Sequence, residues 1–185
     1  RFGARCDFGH AQRAFGRAFY RDPAVRDAEL CRIDVEHDAG DLQQPFPRHA
    51  RCRLHGIAGE GSLDPQTRER IALALAQQNS CEYCLSAHTA IGRKAGLDGA
   101  EIEANRAGTS RDEKAAVAVR FARSLVTHMG EVTTAELVEM RDAGYSESDI
   151  VEVITHVGMN ILTNLLGKAG RVDIDFPKVE LKRVA

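Results

Sequence analysis

The sequence predicts an all-α domain of five or six helices, with a Cys-x-x-Cys pair at the start of one of them. Three observations carry this. From Ser62 onward, residues that favour helix starts recur at regular intervals, and glycines close most of the segments they open. Between these markers, apolar residues return at spacings of three and four. Over this stretch no run alternates apolar and polar residues as a half-buried strand would.

Asp64 followed by Pro65 suits an N-cap and a first helical position, and an Ala-, Leu- and Ile-rich run extends to about Gln78. Asn79-Ser80-Cys81-Glu82 reads as a capping box that opens a second helix, with Glu82 reaching back to Asn79. Gly96 and Leu97 read as its Schellman-type stop. Asp98 and Glu101 repeat the box, and Gly108 closes a short helix. Ser110 and Glu113 open the next, whose Ala115, Ala118, Ala122, Leu125 and Met129 share a face up to Gly130. Thr133 and Glu136 open another, which stops at Gly144. Ser146 and Asp149 open the last, where Ile150, Val153, Ile154, Val157, Ile161, Leu165 and Leu166 form a wide stripe to about Gly167. Asp173 to Pro177 reads as an extended tail.

The boundary falls at 1–61 and 62–185. Residues 1–60 hold 10 Arg, no Lys, 9 acids, four of the seven His and three of the five Cys, and the composition changes abruptly at about Glu60. Pro45, Pro47 and Arg51-Cys52-Arg53 point to irregular chain, and Phe8, Phe15 and Phe19 share at most a faint helical face. Two readings stay open: a divergent helical arm that buries Phe15, Phe19, Leu30 and Ile33, or a segment that is not native to the fold.

Composition narrows the function. The 185 residues are 43% hydrophobic and 28% charged, the balance of a globular chain. A net charge of −2 and a pI near 6.4 argue against a nucleic-acid binder held by bulk electrostatics. No apolar run approaches the roughly 20 residues that span a bilayer, so no membrane partner is expected. Arg1 to Arg5 shows no export signal, which makes a cytoplasmic location the expectation. The odd count of five cysteines excludes a fully paired disulfide scaffold.

The chemistry gathers in Cys81-Glu82-Tyr83-Cys84 and His88. Residues three and four apart are neighbours on a helix, so Cys81, Cys84 and His88 lie along one face. In a first helical turn, unpaired N–H groups and the positive end of the dipole favour a thiolate. Cysteine attacks as the thiolate, and its free pKa of about 8.5 leaves little of it at neutral pH. An imidazole one turn away is suited to take that proton. Cys84 and His88 thus form a plausible nucleophile and base, with Cys81 placed to close a disulfide. Glu69, on the preceding helix, suits the third member of such a triad by orienting His88. Spacing leaves a second reading open, in which Glu69 pairs with Arg68 and Arg70 on a solvated surface.

Glu69 followed by Cys81-Glu82-Tyr83-Cys84-Leu85-Ser86-Ala87-His88 resembles the E-x11-C-x-x-C-x-x-x-H signature of the AhpD-like branch of the carboxymuconolactone decarboxylase superfamily. The likeness extends through Thr89 to Gly96, the Ala115–Met129 helix, Asn160-Ile161-Leu162-Thr163-Asn164 and the Asp175-Phe176-Pro177 tail, roughly residues 62–180. The resemblance implies an all-helical domain of antiparallel helices, commonly a trimer or hexamer, with alkylhydroperoxidase activity. It implies Cys84 as the peroxidatic thiolate, His88 as its base, Glu69 as the residue that holds His88, and Cys81 as the resolving and more exposed thiol. No cofactor or metal is implied, and the electron donor is an external dithiol or a lipoylated protein. Tyr83 departs from the His that well-known members carry between the cysteines. With a reference pKa near 10 it donates a hydrogen bond but is a poor base at neutral pH.

Two other readings use the same residues. A structural zinc module would take Cys81, Cys84 and His88 as ligands with Glu69 as a fourth. A decarboxylase-type enzyme on the same fold would not need the paired cysteines. His156 reads as a buried, hydrogen-bonded side chain, and His128 as a C-terminal cap. His10, His37, His49 and His55 with Cys6, Cys31 and Cys52 show no metal-ligand spacing.

Overall fold

In the computed structural model, residues 61–182 are described. The expectations placed on residues 1–60, including Cys6, Cys31, Cys52 and the four N-terminal histidines, lie outside them. The described residues form six helices: α1 (Pro65–Gln78), α2 (Glu82–Lys94), α3 (Gly99–Arg106), α4 (Glu113–Thr127), α5 (Thr134–Asp142) and α6 (Glu147–Ala169). No strand occurs among them, as the periodicity predicts.

α1 is the central element. Thr67 and every residue from Arg70 to Gln77 are buried, so the helix needs apolar cover nearly all round. α2, α3, α4 and α6 supply it. One apolar cluster joins Ile71 and Leu75 to Val119, Phe121 and Ala122 of α4, to Met140 of α5 and to Val153 of α6. A second joins Leu73 and Ala76 of α1 to Cys81, Cys84, Leu85, Leu97 and Ile102. Both cysteines therefore belong to the core.

Most helix stops follow the glycines. Gly96, Gly108, Gly130 and Gly144 all hold φ between +83° and +97°, a conformation that costs a residue with a Cβ. At Gly96 the Leu97 N–H bonds the Gly92 carbonyl and the Gly96 N–H bonds that of Arg93, the paired bonds of a Schellman stop. Thr133 with Glu136 and Ser146 with Asp149 form complete capping boxes.

Four expectations are corrected. α2 is capped by Cys81, not Asn79, because Asn79 is already spent as the C-cap of α1 and its side chain reaches Asn164. Asp98 caps α3, but Glu101 does not return to it, because a buried guanidinium and other donors draw its carboxylate inward. α4 is capped by Asp112, since the Ser110 hydroxyl is given to Glu101. α6 runs through Gly167 to Ala169, and by length and composition alone it is long and apolar enough to cross a bilayer. Its inward face packs on α1, α2 and α4, and carries buried His156, Asn160 and Asn164 beside Ile150, Val153 and Val157.

The segment after α6, including Asp173–Pro177, has neither helix nor strand, and it is stapled to the helices at several points. Phe176 meets Tyr83 edge-on with ring centroids 5.9 Å apart. The Val179 N–H donates to Ser86 Oγ, Arg106 donates to the Glu180 carbonyl, and Gln77 bonds both the N–H and the carbonyl of Lys182.

Candidate active site

The turn between α1 and α2 builds the site. Ser80 holds φ +55°, where glycine is usual, and its N–H bonds the Gln77 carbonyl while that of Cys81 bonds Ala76. Cys81 thus closes one helix and opens the next. Its extended backbone turns the side chain back, so that Sγ accepts the Cys84 N–H at 3.3 Å. A sulfur takes the place that a serine or aspartate oxygen usually fills. The cap brings the two cysteines together: Cys81 and Cys84 are joined by a disulfide, with Cα atoms 5.3 Å apart.

α6 closes over the pair. The Cys84 Sγ lies 3.8 Å from the Thr163 carbonyl oxygen. Asn164 accepts from Asn79, and Lys168 donates to the Asn79 carbonyl, which ties the turn to α6. Neither sulfur stands open: Cys84 is 5% exposed and Cys81 1%. Contrary to expectation, Cys81 is thus not the more exposed of the two; both cysteines belong to the cluster of Leu73, Ala76 and Leu85.

One turn beyond Cys84, His88 Nδ1 lies 2.9 Å from Glu69 Oε2. The side chains are 9% and 16% exposed, so the pair is largely shielded from solvent. Arg70, the neighbour of Glu69, is committed elsewhere, to Glu101 at 2.8 Å. Gly92, on the same helix as His88, leaves room for Leu97: a Cβ there would sit 3.1 Å from a Leu97 methyl, and at an ordinary 3.8 Å from the Glu69 Cβ. A carboxylate can only accept, which assigns the proton to Nδ1 and leaves Nε2 as the basic nitrogen. Tyr83 sits at the rim against Phe176.

Glu101 anchors the scaffold behind the site. Burial pushes its carboxyl up. Hydrogen bonds from Ser110, Asn105, the Arg111 N–H and Arg70 outweigh that and hold it at about 2.

Other candidates fall outside this arrangement. His128 caps α4 near the Ser124 carbonyl, and His156 is buried beside Glu152 at 3.6 Å. Among the described residues no three His, Cys, Asp or Glu side chains are grouped to hold a metal, so the zinc reading finds no ligand set there. A cavity of about 350 Å³ lies at the N-terminal ends of α1 and α4, lined by Asp64, Arg70, Lys114 and Tyr145 among others, and the site residues do not border it. Sequence spacing misses Thr163 and Gly167, whose backbones approach the sulfurs. The one available signal is a glycine inside the last apolar stripe, which reads as a stop.

Residues 48–124 match the carboxymuconolactone decarboxylase family, starting inside the compositionally distinct N-terminal segment. A crystal structure of an uncharacterised peroxidase-related protein from Silicibacter sp. TM1040 superimposes with a TM-score of 0.63 at 25% identity, covering 68% of this chain and 69% of that one. A structure described as an alkylhydroperoxidase AhpD core, an uncharacterised peroxidase-related protein from Ralstonia eutropha JMP134, gives 0.62 at 20% identity, covering 72% and 70%. An uncharacterised protein of Haemophilus influenzae is 44% identical over 57 residues, 29% of this chain, and the chain spans half of that relative's length. By fold the chain is similar to these peroxidase-related structures, and residues 48–124 carry its likeness to the carboxymuconolactone decarboxylase family.

Proposed function

We propose that the protein is a thiol-dependent alkylhydroperoxidase, an antioxidant oxidoreductase of peroxiredoxin type that cycles between a Cys81/Cys84 dithiol and disulfide. The observation that carries this reading is the disulfide at the start of α2, one turn before a histidine held by a partly buried glutamate. Cys84 is the attacking thiolate. His88, through Nε2, takes its proton, and Glu69 orients the ring and stabilises the imidazolium. The thiolate attacks the peroxide O–O bond, the alkoxide leaves and is protonated, and Cys84 becomes a sulfenic acid. Cys81 then condenses with it, releasing water and forming the disulfide before further oxidation becomes irreversible. An external dithiol, such as a lipoyl group on a protein, restores both thiols by exchange. Tyr83 serves as a hydrogen-bond donor at the rim rather than as a base.

A homo-oligomer, a trimer or hexamer, suits the exposed Val151, Ile154, Leu162 and Leu165 of α6. A cytoplasmic setting, with its thiol pools, suits the reductive half of the cycle. The deciding experiment follows peroxide consumption with a dithiol reductant, and maps disulfides by mass spectrometry after one equivalent of peroxide. A Cys81–Cys84 link and loss of turnover in Cys84→Ser are expected. Turnover that survives Cys84→Ser rejects the assignment.

A further inference from the structure

Between Ile150 and Gly167 the exposed residues of α6 are Val151, Ile154, Thr155, Gly158, Leu162 and Leu165, and none is charged. Glu152, the one carboxylate in that stretch, turns away to accept the N–H groups of Ser62 and Leu63. Apart from Thr155, these residues lie within about 40° of one direction around the helix axis. Val151 and Ile154 precede Gly158 by seven and four residues, and Leu162 and Leu165 follow it by four and seven. Exposure mirrors the spacing, at 62% and 44% before the glycine and 39% and 61% after it. Gly158 does not hold the left-handed backbone that calls for glycine, a Cβ there would meet nothing within 4 Å, and glycine is a poor helix former. Among the described residues nothing requires a glycine at the middle of this stripe.

The stripe reads alike from either end. Such a face matches a copy of itself laid antiparallel, because a two-fold interface sets each patch against the same patch turned round. With the axis at Gly158, Val151 meets the second copy's Leu165 and Ile154 meets its Leu162, while the two glycines let the helices approach closely. The ends are complementary too. Glu147 stands in the first turn and Lys168 in the last, both exposed, and antiparallel docking sets one against the other with the helix dipoles opposed.

We propose that the outer face of α6 is a self-pairing surface, on which a second copy of this chain docks antiparallel about a two-fold axis at Gly158. The proposal rests on the homo-oligomer proposed above and not on the redox chemistry. It selects among assemblies: a dimer, or a hexamer built of three pairs, contains this contact, and a lone trimer does not.

The test is the mass of the full chain in solution, by analytical ultracentrifugation at micromolar concentration. The parent should sediment as a dimer or a hexamer. Val151→Glu and Leu165→Lys should each weaken pairing about tenfold or more, because each buries a charge without a partner. The double substitution should recover most of the loss, because antiparallel docking brings the two new charges together. A monomeric parent removes the pairing and the homo-oligomer together, and flotation of that monomer with phosphatidylcholine vesicles would give the face to a bilayer instead. A trimeric parent, single variants of parental mass, or a double variant no better than the singles overturns the pairing and leaves the homo-oligomer standing. Should a variant lose its helical circular dichroism, carbodiimide cross-linking of the parent decides. Glu147 and Lys168 lie about 30 Å apart along one helix, so a zero-length link between them forms only between copies. That link is expected, and its absence overturns the pairing.

Discussion

The His88 imidazole and the Glu69 carboxylate meet at 2.9 Å across the α1–α2 packing, with both side chains largely shielded from water. The bond sets which imidazole nitrogen carries the proton, and it makes α1 part of the site although no sulfur lies on that helix. Glu69→Gln keeps the shape but removes the charge that stabilises the imidazolium. Alkylation of the Cys84 thiol and peroxide turnover should each fall about 10- to 100-fold, the usual loss for an orienting partner. Quenched-flow alkylation of the reduced protein checks the first, and coupled peroxidase kinetics the second.

Replacing Cys81 separates the two thiol roles. With serine at this position, Cys84 oxidised by peroxide has no neighbour to condense with. Repeated peroxide should then carry it to sulfinic acid, which an external dithiol does not reverse. Intact-protein mass spectrometry would show the gain of two oxygen atoms. A sulfenic acid that persists indefinitely would contradict the role given to Cys81.

Glu101 makes the fold sensitive to acid. Its native carboxyl, at about 2, lies below the ordinary glutamate value near 4.5. The stabilisation is therefore complete above about pH 4.5 and is lost as the pH falls toward 2. Glu101→Gln should cost about 3 kcal/mol at neutral pH, since it leaves the buried Arg70 without its counter-charge. The gap between the two proteins should narrow through that acid window. Urea midpoints between pH 2 and 7 measure it, and a gap that stays constant would show that ionisation is not the cause.

Leu73 tests the packing behind the sulfurs. It is fully buried in the cluster that contains both cysteines. Leu73→Ala should lower stability by about 3 kcal/mol, the middle of the range for such truncations. By opening space beside Cys81 it should also quicken the exchange of that disulfide with dithiothreitol. Equilibrium denaturation and the alkylation-quench assay report the two effects separately.

Legibility in the sequence depends on distance along the chain. The stops at Gly96, Gly108, Gly130 and Gly144, and the boxes at Thr133 and Ser146, are bonds between residues a few positions apart, and spacing reveals them directly. Where a side chain has two possible partners, local reasoning favours the near one. It gives Asn79, Glu101 and Ser110 to adjacent caps, yet each bonds beyond its own box. Cys81, Cys84 and His88 share a helix, so their spacing is informative. Glu69 is ambiguous until Arg70 is seen to face Glu101. Gly167 is unreadable because its meaning lies more than 80 positions away, in the sulfurs it borders.

Because the Cys81 sulfur accepts the Cys84 amide proton, the cap of α2 and the oxidation state share one atom. Conversion to a charged thiolate would strengthen that acceptor, and conversion to a neutral thiol would swing it. The nitrogen-15 resonance of residue 84 is thus a built-in gauge, able to follow electron flow through the pair without any attached dye.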